Sequence, residues 1–101
     1  AIALNDVIQM VDVFAGETVH NIVLKTGDLD TGTALVLDVG DGSDVDYYID
    51  GSTIGQAGGT DTLDANTAPR TYTADDTIDV LAQVAPGGGG TGDIEIWVTV
   101  S

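Results

Sequence analysis

Residues 27–51, GDLDTGTALVLDVGDGSDVDYYIDG, decide the fold. Aspartate and glycine bracket one apolar run at residues 33–39. There Leu35, Leu37 and Val39 alternate with Ala34, Val36 and Asp38. A period of two marks a strand with one face in a core. Asp41-Gly42, followed by Ser43 and Asp44, turns the chain, because Asp side chains bond nearby backbone and Gly accepts positive φ. Residues 46–50, DYYID, return as a short strand with Tyr47 and Ile49 on one face.

The same alternation of short strand and acidic turn extends in both directions. Residues 2–14 read as a strand region apolar on both faces, with Val7, Val11 and Val13 on one side and Ile8, Met10 and Phe14 on the other. Such a strand is central or pressed against another subunit. Residues 18–26, TVHNIVLKT, are β-branched and form a second strand, with His20 on the face of Ile22 and Leu24. Residues 51–70 are a long irregular excursion broken by Gly55, Gly58, Gly59, Asn66 and Pro69, with short pieces near Ile54 and Leu63 available for pairing. Residues 71–73 make another short strand.

Residues 77–84 alternate cleanly, with Ile78, Val80, Ala82 and Val84 inward and Asp79, Leu81 and Gln83 outward. Residues 85–92, APGGGGTG, read as a flexible hairpin loop. It leads to residues 93–100, with Ile94, Ile96, Val98 and Val100 inward and Trp97 outward. No stretch has the three-and-four spacing and caps of a helix. The expected fold is all-β, a single-domain antiparallel β-sandwich of jelly-roll type over residues 1–101.

The chain has 101 residues, 43% of them hydrophobic, which suffices for one core and is short for two. Seventeen acids against two Lys and Arg give a net charge of -15. That surface repels phosphate backbones and anionic lipid, so nucleic-acid and membrane-surface binding are set aside. No apolar run reaches the length of a membrane span. Cysteine is absent, which excludes disulfides and thiolate metal sites. The chain starts at Ala1, as it would after removal of an initiator Met or of a leader.

The acidic loops raise calcium as a candidate cofactor, since calcium takes six to eight oxygens from carboxylates on loops. Asp28 and Asp30 form one pair and Asp38, Asp41, Asp44 and Asp46 a denser group, and from these the candidate ligands are Asp28, Asp30, Asp41, Asp44 and Asp46. The spacing departs from the EF-hand pattern: Gly32 comes one position early and no Glu follows. Turn formation is the stronger reading of these acids, and no other cofactor is expected. A carboxylate pair for glycoside hydrolysis is not singled out among so many Asp residues. His20, the only histidine, has no Ser or Cys motif beside it. No enzyme is expected. Trp97 has two readings: an interface residue near Leu81, if the last two strands form a hairpin, or a residue covered by the 51–70 excursion. Val7, Ile8, Met10, Leu81 and Trp97 are the interface candidates.

Taken in order, GDLDTGTALVLDVGDGSDVDYYIDGSTIGQAGG and the later TYTADDTIDV resemble small virion proteins of tailed phages, especially marine ones. The shared features are a DLDTG turn leading into a strand, a VGDG turn and an aromatic-Ile-Asp-Gly segment. The resemblance implies a head decoration or cement protein on the outer capsid surface. As such it would be a homotrimer that clamps neighbouring major capsid proteins, with residues 51–69 and the first strand as contact regions. A tail or fibre component, and a secreted calcium- or carbohydrate-binding β-sandwich, are the alternatives. For a carbohydrate-binding platform, Trp97, Tyr47, Tyr48 and Tyr72 are scattered along the chain.

Overall fold

The computed structural model describes residues 4–64, 67–88 and 92–101. Ile2, Asn66, Gly89, Gly90 and Thr91, which figured in the expected first strand, excursion and Gly-rich loop, lie outside them. The described residues hold eight strands: β1 Val7–Val13, β2 Thr18–Thr26, β3 Val36–Gly40, β4 Ile49–Ser52, β5 Gly59–Thr62, β6 Arg70–Thr71, β7 Asp76–Val84 and β8 Ile94–Val100. They form two antiparallel sheets. The first has the order β1-β7-β3-β4. In the second, β2 is central, with β8 along one side and β5 and β6 sharing the other.

The core lies between the sheets, because that is where the alternating apolar faces meet. Leu35, Leu37 and Val39 are fully buried there, together with Ile78, Val80 and Ala82 from β7 and Val19, Ile22 and Leu24 from β2. The inward faces of β3 and β7, and Ile22 and Leu24 of β2, are those the alternation predicts, whereas Val19 joins them across a register shift. Val84 and Val100, expected inward, lie at strand ends and are 42% exposed.

Several expectations are corrected. β7 and β8 do not form a hairpin. β7 lies in the first sheet between β1 and β3, β8 pairs with β2 in the second, and the connection between them crosses from sheet to sheet. Trp97 is therefore not beside Leu81. The register of β1 shifts between Gln9 and Val11, so Val7 pairs with the outward Leu81 while Val13 is buried. A bulge of this kind breaks the period of two, which is why Val7 and Val13 do not share a face. A second shift between Val19 and Asn21 turns His20 outward, away from Ile22 and Leu24, where its Nε2 lies 2.7 Å from Ser101 Oγ.

β3 starts at Val36 rather than residue 33, and β4 covers Ile49–Ser52 rather than residues 46–50. Ile54 lies in a single 3-10 turn, Ile54–Gln56, while the segment leading to Leu63 does pair, as β5 on β2. Asp79, expected outward, is 7% exposed and accepts a 2.6 Å hydrogen bond from Thr77 Oγ1.

Gly40 ends β3 where the Asp41–Asp44 turn folds back over it. A Cβ there would run into the carbonyl groups of Asp44 and Val45, both backbone and unable to swing aside. Gly40→Ala is expected to cost about 2–3 kcal/mol, the upper part of the range for overpacking. A urea unfolding midpoint unchanged from the parent chain would contradict that.

Candidate functional site

The aspartates divide into groups with different work. Asp30 is 1% exposed at the mouth of the loop between β2 and β3. Its Oδ1 accepts N–H bonds from Gly32 (2.7 Å) and Gly88 (2.9 Å), and its Oδ2 accepts from Ala34 and Leu35, both at 2.9 Å. Burial alone would raise the Asp30 carboxyl. The N–H groups of Leu35, Ala34 and Gly32 outweigh it and hold the group well below the usual carboxylate range. Because the Ala34 and Leu35 amides point at this carboxylate, they cannot join a ladder, and β3 starts only at Val36. Asp30 thus ties the entry of β3 to the β7–β8 crossing, where Thr31 N also donates to Gly88 O.

Asp41 is fully buried. Its Oδ1 accepts from the backbone of Ser43 and Asp44, both at 2.9 Å. Its Oδ2 accepts from the Tyr72 hydroxyl at 2.7 Å and lies 3.1 Å from Arg70 Nε. The Tyr72 hydroxyl in turn lies 2.7 Å from that of Tyr48. Arg70 stacks over the Tyr47 ring at 4.5 Å, and Tyr47 meets Tyr48 edge to face at 5.0 Å. Burial pushes both Tyr48 and Tyr72 upward, and Tyr72 further through its hydrogen-bonded contacts with Tyr48 and with the Asp41 carboxylate. The only arginine in the chain is thus fixed among aromatic rings and a buried acid.

The third group is Asp38, Asp46 and Asp50, whose carboxylate oxygens lie within 4.8 Å of one another. Burial raises the Asp38 carboxyl, although Gly51 N–H donates to it at 2.8 Å, and Asp50 and Asp64 add repulsion. Asp46 is raised first by its contact with the Asp44 carboxyl, then by burial and like charges. Of the five calcium candidates, only Asp46 belongs to this convergence. Asp28 and Asp44 accept N–H bonds from Asp30 and Asp46, while Asp30 and Asp41 serve the networks just described. Asp38 and Asp46 belong to the denser acidic group that the sequence marks, while Asp50 was not singled out there. Loop closure, and not spacing, brings them together.

The interface candidates do not share one surface: Val7, Leu81 and Trp97 point outward from the two sheets, while Ile8 and Met10 turn toward the core. Val7, 51% exposed, lies beside Leu81 on the first sheet, with Ile8 opposite the inward Val80 and Met10 packed partly buried against the core. Trp97 stands 52% exposed on the second sheet, so the described residues of the 51–70 segment do not cover it. Its cross-strand partner there is Val23, which Thr62 flanks on the other side.

No protein-family model matches the sequence, and no curated protein matches it. Solved structures do match. A chain in the capsid of Ralstonia phage GP4 aligns with 99% of this chain and 75% of its own length, at 25% identity and a TM-score of 0.83. A chain of the cyanophage Pam1 capsid asymmetric unit aligns with 98% of this chain and 74% of its own, at 24% identity and a TM-score of 0.87. The structural neighbours are thus phage capsid chains, and the β-sandwich is shared along almost the entire sequence.

Proposed function

We propose that this chain is a structural protein of a tailed-phage virion, a decoration protein that sits on the outside of the head and ties neighbouring shell subunits together. The observation that carries the reading is the fold match, which spans nearly all of this chain in two separate phage capsids. Three physical features support the finer placement. The matched chains extend only modestly beyond the aligned region, so this chain corresponds to most of a small capsid component. A net charge of -15 is repelled by packaged nucleic acid, which favours the outer surface over the inner one. The buried Asp30 and Asp41 networks brace loops and offer no nucleophile or open position to a substrate, consistent with a structural role without catalysis.

Copy number tests this. Quantitative mass spectrometry on the purified particle is expected to find this chain at near-equal copies to the most abundant shell protein. A handful of copies per particle would move it to the tail or fibre. Absence from any particle would overturn the virion reading.

A further inference from the structure

β1 ends at the buried Val13, and Phe14 follows it into solvent, 56% exposed. Beside this ring lies a groove of about 350 Å³, lined by Asp12, Val13, Phe14, Asp75, Asp76 and Thr77. The pairing of β1 with β7 brings its walls together, with Asp12 opposite Thr77 and Val13 opposite Asp76. Three carboxylates therefore rim one exposed aromatic ring, and no basic residue stands among them. Two other grooves differ in this respect. One holds Arg70 and the other Lys25, the only Arg and the only Lys of the chain.

Hydrogen bonds fix this rim from behind. Phe14 N–H donates to Glu17 Oε1 at 2.7 Å, and Ala15 N–H donates to Asp75 Oδ1 at 2.9 Å. Asp76 Oδ1 accepts from Thr77 N–H at 2.7 Å and from Gly42 N–H at 3.3 Å. Among the described residues, the second carboxylate oxygen of Asp75 and of Asp76 takes no hydrogen bond.

The chemistry of the rim selects its occupant. A divalent cation needs carboxylate oxygens that converge, and among the described residues only Asp38, Asp46 and Asp50 do so. Acids spread around an aromatic ring suit a flat, delocalised cation, which stacks on the ring and reaches several oxygens through its fork of N–H donors. The chain already holds one such arrangement: Arg70 lies 4.5 Å over the Tyr47 ring, with its Nε 3.1 Å from Asp41. We infer that the Phe14 groove is a docking site for an arginine side chain presented by a different protein. The guanidinium covers the Phe14 ring and donates to Asp12, Asp75 and Asp76, while its aliphatic stem lies in the groove. A second copy of this chain cannot supply the group, since its single arginine is held by Tyr47 and Asp41. The inference rests on this groove and not on the virion reading.

NMR titration of the folded chain with a blocked Gly-Arg-Gly peptide tests it. The largest shifts are expected at the amides of Val13, Phe14, Asp76 and Thr77. Binding should weaken as salt rises from 0.01 M to 0.15 M, where the Debye length falls from about 30 Å to about 8 Å. Phe14→Ala should lower the association constant about 2–5-fold, as loss of an exposed cation–π contact does. Asp12→Asn combined with Asp75→Asn should lower it at least about twofold, and the new amide oxygen at position 75 can still accept from Ala15. Asp61→Asn, a loss of charge on β5, should leave it unchanged. Well-dispersed amide spectra should show every variant folded.

Shifts spread evenly over the acidic surface would overturn the inference, as would a folded Phe14→Ala chain that binds like the parent. A blocked Gly-Lys-Gly peptide that binds the same residues as tightly or more tightly would point to an ammonium occupant, from a protein or a polyamine, and would also overturn it. None of these outcomes bears on the copy number of the chain in a particle, so the proposed function stands or falls separately.

Discussion

Asp41→Ala should cost about 3–5 kcal/mol, the range for breaking a buried ion pair by removing one partner. The Arg70 side chain keeps 29% of its surface in water, which places the expectation toward the lower end. The substitution strands more than the guanidinium. The Ser43 and Asp44 amides and the Tyr72 hydroxyl all donate to this carboxylate, and Tyr72 is buried. For a domain of this size, about 3 kcal/mol corresponds to a fall of roughly 12–24 °C in thermal midpoint. Tyr72→Phe should cost about 1–2 kcal/mol, since it removes one hydrogen-bonding group and keeps the ring. The double variant should be less destabilised than the sum, because both changes break the same network. Additive losses in calorimetry would show that Asp41 and Tyr72 act independently.

The second large effect is on acid stability. The Asp30 carboxyl is held below its usual range, so its contribution is complete above the unfolded value of about 3.9 and is lost as pH falls toward the lower folded value. Asp38 and Asp79 act in the opposite sense. Burial raises both, so protonating them favours the folded chain as pH drops from neutral. The wild-type thermal midpoint is therefore expected to rise from pH 7 into mild acid and to fall steeply below about pH 4. Asp30→Asn should lower the midpoint at pH 7 and flatten that acid limb, because the group that titrates there is gone. Hydrogen exchange should quicken at Gly32, Ala34, Leu35 and Gly88, the four amides bonded to this side chain. An acid limb as steep in Asp30→Asn as in the parent would assign the loss to other carboxylates.

These two aspartates also mark how far the sequence could be read. The inward faces of β3 and β7 were legible, because one apolar residue in two leaves a local signature. β2 was legible at its full length. What was hidden depends on residues far apart in the chain. Nothing local in residues 85–92 distinguishes a hairpin from a crossing between sheets, and the choice fell to the partners that β7 and β8 find in β1, β3 and β2. The shifts in β1 and at His20 each place an extra residue in a strand, which a strict alternation cannot register. Asp30 and Asp41 stood out as acids in turns, but their burial comes from groups such as Gly88 and Tyr72, supplied by later segments. The same holds for the convergence of Asp38, Asp46 and Asp50, residues that are separated in sequence and meet only when the loop closes.

The order in which strands pair has a consequence for synthesis. Only β3 and β4 are neighbours both in sequence and in their sheet. β1 waits for β7, and β2 waits for β8. A nascent chain emerging from the ribosome therefore cannot complete either sheet until its last third is free, and domains dominated by such distant pairings fold in roughly milliseconds to seconds. During that interval β1 and the side of β2 that β8 will take are unpaired and open to association with other chains. The abundant carboxylates are already ionised then, and their mutual repulsion keeps unfinished chains apart until β7 and β8 arrive.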